Sequence, residues 1–194
     1  MIRSIGISNF SYKQTERLLS VAKIKPVINQ VECHPYLPQT KLLEWSKQRG
    51  IVLTAYSPLG NPGSTFAGNQ GTLSFYLKLS NVCIYTILSF LFCLFLSAGL
   101  IKDPVVVKIA EKYGKTPAQV LIRFQIDRGI IVIPKSVKPE RIIENIKVFD
   151  FKLTPDDIKA LEGLDKNERF HFPGYIERGI VNHPNYPWKT PDDF

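Results

Sequence analysis

The sequence predicts an α/β fold with parallel strands, and three observations support this prediction. Short apolar runs alternate with helical patterns on both sides of a long uncharged stretch. Helix starts are marked by a hydroxyl residue or proline, and polar side chains follow the apolar runs. Strands that alternate with helices imply βα units, in which consecutive strands run parallel.

The first part of the chain contains three such strands. Ser11, with Gln14 three residues later, is typical of a capping box at a helix start. Gly50 is a typical helix terminator. The predicted elements are strands at 3–8, 27–32 and 51–55, a helix from Ser11 to about Ala22, and a helix from Thr40 to Gln48 with Leu42, Leu43 and Trp45 on its apolar side.

The second part begins at Asp103 and follows the same pattern. Thr116 and Pro117 supply a helix cap and a first-turn proline. The predicted elements are a helix from Pro117 that packs through Val120, Leu121 and Phe124, a strand at 130–134, a helix from Pro139, and a helix capped at Thr154 that runs to about Leu164.

Polar residues lie at the end of each predicted strand. They are Ser8 and Asn9, Gln30, Tyr56 to Gly60, and Lys135 and Ser136. Each has a structural explanation when taken singly, as a turn former, an interior hydrogen-bonding residue or a core aromatic. Together they indicate a site at the carboxyl ends of the strands, where ligands bind in folds of this class.

The segment 133–149, IPKSVKPERIIENIKVF, carries the most informative of these groups. A strand end, a lysine, a serine and a helix that begins at Pro139 and includes Arg141 form a corner suited to a phosphate. Glu144 and Asn145 lie about one turn further along, where they can meet a second part of the same ligand. The alternative is a solvated helix cap.

This segment resembles the C-terminal signature of the aldo-keto reductases, in the form I-P-K-S-x-x-P-x-R-I-x-E-N. The resemblance implies a (β/α)8 barrel that reduces carbonyl compounds with NADPH. It implies that Lys135, Ser136 and Arg141 hold the 2′-phosphate, and that Glu144 and Asn145 meet the adenine.

The same resemblance assigns roles at the other strand ends. Ser8, Asn9 and Gln30 would hold the nicotinamide carboxamide, Tyr56 would stack on the nicotinamide ring, and Ser57 and Leu59 would line the pyrophosphate path. A C-terminal loop from about residue 166 would form part of the substrate pocket, with Phe170, Phe172 and Tyr175 as candidate contacts.

The resemblance covers residues 1–60 and 103–194 and is interpreted as a partial (β/α)8 barrel, the C-terminal half with strands five to eight. The catalytic Tyr, Lys, Asp and His of the family belong to the first half, so no catalytic residue is assigned here. The chain alone is therefore expected to be inactive, and a half-barrel is expected to expose two sheet edges and an apolar face.

Residues 61–102 break the pattern and are predicted to be an atypical insertion. The segment from Leu79 to Ile101 carries no charge and is long enough to cross a membrane. Three interpretations stay open: retained intron sequence, a membrane-inserting or amphipathic segment, and a buried helix. A crossing here would place Tyr56 and Lys135 on opposite sides of the bilayer, where they could not share one NADPH.

Composition limits the remaining function classes. A net charge of +8 favours anionic ligands, but the basic residues are spread over many helices, which argues against a nucleic-acid interface. Three cysteines without metal spacing indicate a reducing compartment and no metal site, which favours a cytoplasmic protein, with association to a membrane through the hydrophobic insertion as the alternative. The family resemblance implies a monomer that reduces small carbonyl compounds. His34 has no partner at catalytic spacing and is assigned a structural role. The alternatives are a membrane-anchored, non-catalytic remnant and a mispredicted product without function.

Overall fold

The computed structural model of the protein describes residues 2–60 and 99–170 together with Tyr186. Its strands are β1 (Gly6–Ser8), β2 (Ile28–Glu32), β3 (Val52–Tyr56) and β4 (Ile131–Val132). Its helices are α1 (Tyr12–Val21), α2 (Thr40–Gln48), α3 (Pro104–Tyr113), α4 (Pro117–Asp127), α5 (Pro139–Ile146) and α6 (Pro155–Glu162). A 3₁₀ turn at Leu100–Lys102 precedes α3.

The four strands form one parallel sheet in the order β1-β2-β3-β4. Ser8 of β1 pairs with Gln30 of β2, which pairs with Thr54 of β3. Thr54 pairs in turn with Ile131 of β4. Because all these pairings are parallel, the four carboxyl ends lie on one edge of the sheet. The predicted α/β fold with a parallel sheet is confirmed.

Capping boxes set the starts of three helices. Ser11 and Gln14 form the box before α1, and Thr116 with Gln119 forms the box before α4. Thr154 begins α6 in the same way, with Asp157 as its partner. Each box satisfies two backbone N–H groups that the helix itself leaves unpaired. The predicted helix starts are confirmed at all three positions.

The outer strands are shorter than the apolar runs that predicted them. In the run at 3–8 only Gly6–Ser8 pairs as a strand, and in the run at 130–134 only Ile131–Val132 does. Ile130 binds back to Gln125 in the turn after α4, because its N–H donates to that carbonyl over 2.9 Å. The ladder therefore begins one residue later than the hydrophobic run.

Two apolar clusters hold the helices to each other and to the sheet. Val31, Leu53 and Ala55 point from the sheet toward Leu42 and Leu43 of α2. A second cluster joins the 3₁₀ turn, α3, α4 and α6, and it contains Leu100, Val106, Ile109, Val120, Leu121, Phe124 and Leu161. These side chains leave water almost completely, which is the main stabilising contribution to the fold.

The opposite face of the sheet carries apolar side chains that stay accessible within the described part of the chain. Val52, Ile131 and Ile133 are 41%, 46% and 44% exposed. They share one face because Thr54 lies two residues after Val52 and pairs with Ile131. In a closed barrel this face would point inward.

The candidate membrane segment from Leu79 to Ile101 lies outside the described residues except for its last three. Those three enter the 3₁₀ turn, where Leu100 is buried. Within residues 2–60 and 99–170, no helix has the length and apolar composition that a membrane crossing requires. The three interpretations of the stretch stay untested.

Asp157 joins α6 to α3 through a buried carboxylate. Lys112 donates to its two oxygens at 2.9 and 2.8 Å, and the hydroxyl groups of Tyr113 and Thr154 donate at 2.5 and 2.6 Å. Burial raises the pKa of Asp157, but hydrogen bonds from Lys112, Thr154 and Tyr113 outweigh it and hold the pKa well below its ordinary value. The ionised carboxylate therefore stabilises the folded chain.

The Asp157→Asn variant should lower the free energy of unfolding at pH 7 by roughly 1–3 kcal/mol, because charged hydrogen bonds are lost. The stabilisation is present above the unfolded pKa and is lost as the pH falls below about 4, toward the folded pKa. The difference between the wild type and the variant should therefore shrink at pH 2.5, as measured by urea unfolding. Asp156→Asn, at the exposed neighbour, is the control and should show little change at either pH. A pH-independent difference for Asp157→Asn would contradict the assignment.

Candidate functional site at the carboxyl edge of the sheet

The parallel register brings the predicted polar residues of the first three strands to one edge. Ser8 ends β1, Glu32 ends β2 and Tyr56 ends β3. Glu32 and Tyr56 are direct neighbours in the ladder, and Gln30 lies one pair earlier beside Ser8. The sequence predicted all of these positions except Glu32.

Hydrogen bonds fix a first corner, made of Ser8, Asn9, Gln30 and Tyr56. The Gln30 carbonyl accepts from the Asn9 N–H at 2.9 Å and from the Ser8 hydroxyl at 3.0 Å. The Tyr56 hydroxyl donates to Oδ1 of Asn9 at 3.3 Å. Asn9 has a φ of 57°, a left-handed conformation that asparagine tolerates better than most residues. This turn keeps Asn9 at the strand end and ties it to the aromatic ring of Tyr56.

The loop after β3 is a tight turn between this corner and the helices. Ser57 has a φ of 50°, and its carbonyl accepts from the Gly60 N–H at 2.9 Å. Gly60 has a φ of 72°, and a Cβ placed there would lie 3.2 Å from the ring of Phe170. Leu59 packs against the helical cluster that contains Leu100. The loop is thus held by its own turn on one side and by the helical core on the other.

A second corner follows β4, at the start of α5. Lys135 and Arg141 are exposed, and Ser136 accepts from the Lys138 N–H at 3.1 Å. The side chain of Lys138 does not cap the helix, although Glu140 lies in the first turn and offsets part of its positive charge. Two cations and a hydroxyl beside a helix start match the requirements of a phosphate group.

Glu144 and Asn145 lie on the next turn of α5 and are half-buried. The Thr116 hydroxyl donates to Oε1 of Glu144 at 2.5 Å, and Gln119 donates to the Glu144 carbonyl at 3.2 Å. One carboxylate oxygen is therefore already bonded to the start of α4. The sequence alone did not predict this contact, which fixes the side chain in place.

The chain matches the model of the aldo/keto reductase family over residues 1–166. It is 42% identical over 196 residues to aldo-keto reductase family 1 member A1-A of Danio rerio, a match that covers 98% of this chain and 52% of the relative. It is 38% identical, with the same coverage, to aldo-keto reductase family 1 member A1 of Homo sapiens. Prostaglandin F synthase 2 of Bos taurus is 43% identical over 190 residues, which cover 97% of this chain and 50% of that protein.

The chain belongs to the aldo/keto reductase family. It spans about half the length of the curated relatives that it matches. These matches run across nearly the whole chain, including residues 61–102, so they do not support an atypical insertion there or a resemblance confined to a C-terminal half. Cofactor contacts by the eleven predicted residues stay predictions.

The structure also contains a buried polar cluster at this edge of the sheet, which the sequence did not predict. Glu32 is 1% exposed and His34 is fully buried, with the His34 Nε2 atom 3.2 Å from Oε1 of Glu32. The Phe170 N–H donates to the same oxygen at 2.6 Å. The predicted contacts Phe172 and Tyr175 lie outside the described residues. The signal in the sequence that could have identified Glu32 was its position at the end of the strand that contains Gln30.

Cys33 lies between these residues in sequence but points into the core. Its Sγ contacts Oε1 of Gln125 at 3.4 Å, and the Gln125 amide donates to the Cys33 carbonyl at 3.1 Å. Burial raises the pKa of the Cys33 thiol to about 11, although Arg128 opposes the shift. The thiol therefore stays protonated near neutral pH and is not a nucleophile.

The left-handed turn at Asn9 can be tested by paired substitutions. Asn9→Ala should lower the free energy of unfolding by roughly 1–2 kcal/mol, because a left-handed backbone is strained for alanine. Asn9→Gly should cost less, since glycine adopts that conformation freely. At the helical control position Asn145, the order should reverse, because glycine weakens a helix relative to alanine. Urea unfolding measures all four variants, and equal losses for both Asn9 variants would contradict the strained turn.

Proposed function

We propose that this chain binds NADPH across the two corners at the carboxyl edge of its sheet, and that the whole protein reduces a small aldehyde or ketone. The observation that carries the proposal is the placement of both corners on one edge by a parallel sheet. A dinucleotide needs separate sites for its two ends, and ligands of α/β folds bind outside the carboxyl ends of strands.

The second corner would hold the phosphorylated end of the cofactor. Lys135 and Arg141 are exposed cations, and Ser136 adds a hydroxyl donor beside the start of α5. A 2′-phosphate carries the charge that these groups complement, and NADH lacks it. Glu144 is held toward α4 by Thr116, and its remaining oxygen together with Asn145 would meet the adenine.

The first corner would hold the nicotinamide end. Ser8, Asn9 and Gln30 provide hydroxyl and amide groups that can bind a carboxamide, and Tyr56 provides an aromatic face. Ser57 and Leu59, in the turn closed by Gly60, would line the path of the pyrophosphate between the corners. The bond between Tyr56 and Asn9 supports this arrangement because it fixes the ring relative to the amide groups.

NADPH, when bound, would supply the hydride for carbonyl reduction. The residues of this chain would orient the cofactor, with an aromatic on one face of the nicotinamide and hydrogen bonds at one edge. We also propose that the four described strands correspond to the fifth to eighth strands of a (β/α)8 barrel. The proton donor would then come from outside this set of strands, and the carbonyl substrate belongs to the whole protein.

The charge reversal Arg141→Glu tests the cofactor assignment. It should weaken NADPH binding on the order of 100-fold, because a charge-assisted contact worth about 1.5–3 kcal/mol is replaced by repulsion. NADH binding should change by no more than about threefold, since NADH has no 2′-phosphate. Titration calorimetry or cofactor fluorescence with the purified chain measures both constants.

The matched control is Lys159→Glu on α6, which changes the net charge by the same amount at an exposed position. It should leave the preference for NADPH over NADH unchanged. Equal losses of affinity for NADPH and NADH in Arg141→Glu would refute the assignment of the 2′-phosphate to the second corner. The same change in cofactor preference in the Lys159→Glu control would also refute it.

A further inference from the structure

Glu32 is a buried carboxylate at the carboxyl end of β2, and its place in the sheet aims it at the candidate site. It lies two residues after Gln30 on the same face and pairs with Tyr56 in the ladder. Its exposure is 1%. Removing a carboxylate from water costs free energy unless hydrogen-bond donors surround it. The partners of Glu32 therefore indicate which groups its side chain holds in place.

Two groups that contact Oε1 of Glu32 come from separate parts of the chain. His34 lies 3.2 Å away through Nε2, and the Phe170 backbone N–H lies 2.6 Å away. Nδ1 of His34 is buried without a partner among the described residues. His34 thus holds the carboxylate, and the carboxylate holds the backbone at Phe170.

Residues 165–170, called the strap, follow α6 and cross back to this corner. The Lys166 and Glu168 N–H groups both donate to the Tyr36 carbonyl at 3.1 Å. Nζ of Lys166 lies 3.5 Å above the Tyr36 ring. Asn167 turns the chain with a φ of 49°. The strap is therefore attached at its start to the loop after β2 and at its end to Glu32.

The end of the strap forms a wall beside the proposed cofactor site. The centroid of the Phe170 ring lies 4.7 Å from that of the His34 ring, and a Cβ on Gly60 would lie 3.2 Å from the nearest Phe170 ring atom. Arg169 is the preceding residue. Burial lowers the pKa of Arg169, while the negative charge of Glu32 opposes that shift, so the guanidinium lies within electrostatic reach of Glu32.

We infer that Glu32 is a positioning residue, which fixes the strap so that Phe170 closes the side of the pocket next to Gly60 and Tyr56. The inference rests on the proposed function, because the wall formed by Phe170 is part of a substrate pocket only when a cofactor is bound. Glu32 is not assigned to the chemistry, since it is almost fully buried and one oxygen serves both His34 and Phe170. Glu32 would affect a substrate only by fixing the position of the strap.

Hydrogen–deuterium exchange of the full chain, read by mass spectrometry, tests this inference with two variants. Glu32→Gln keeps the shape and one acceptor for the Phe170 N–H, so exchange in the strap should rise only about tenfold, the equivalent of about 1.4 kcal/mol. Glu32→Ala removes the acceptor, so exchange in the strap should rise on the order of 100-fold or more. In both variants, peptides from α3 and α4 should exchange as in the wild type.

The matched control is Glu44→Ala on the exposed side of α2, which should leave strap exchange unchanged. A strap that exchanges at the wild-type rate in Glu32→Ala would overturn the inference. An equal rise in α3 and α4 would also overturn it, since Glu32 would then stabilise the fold as a whole.

NADPH titration of the same proteins separates this inference from the proposed function. The inference expects wild type and Glu32→Gln to bind NADPH within about threefold of each other, since the described contacts of the strap are with the loops after β2 and β3 and not with the second corner. A loss of more than tenfold in Glu32→Gln would place Glu32 in cofactor binding and overturn the positioning role. Failure of the wild type itself to bind NADPH would refute the proposed function, while the exchange result would still decide whether Glu32 holds the strap.

Discussion

Parallel pairing of the four strands is the constraint on which the rest of the structure depends. Each strand contributes little by itself, and β4 contributes only two residues to the ladder. The register places Ser8, Gln30 and Thr54 side by side, so the polar residues at the strand ends meet at one edge. A shift by one residue would turn each of these side chains to the opposite face. The apolar clusters that bind the helices to the sheet therefore also maintain the candidate site.

The two corners differ in how firmly they are built. The first corner, with Asn9 and Tyr56, is tied together by backbone and side-chain hydrogen bonds before any ligand is present. The second leaves Lys135 and Arg141 exposed to solvent beside a helix start. This difference suits a cofactor whose aromatic end must be oriented for hydride transfer and whose phosphate end supplies binding free energy.

Local signals in the sequence predicted most of the elements. The capping residues Ser11 and Thr116 located helix starts because their hydrogen bonds lie within four residues. The sequence also predicted the bounds of α2, although its Trp45 is only half-buried and Ser46 faces the core instead. Contacts between distant residues escaped prediction. Phe170 reaches Glu32 across 138 residues, and Glu144 turns toward Thr116 across 28. Neither residue type nor spacing encodes such pairings, because they depend on how the helices pack.

The measurement that tests the central claim most directly is a titration of the ¹⁵N-labelled chain with NADPH, followed by NMR chemical shifts. If one cofactor spans the edge of the sheet, resonances of both corners should shift together with a single saturable binding constant. They include the backbone signals of Ser8, Asn9, Tyr56, Ser136 and Arg141, while those of α6 should stay in place. Shifts confined to one corner, or no saturable change at either, would contradict the account.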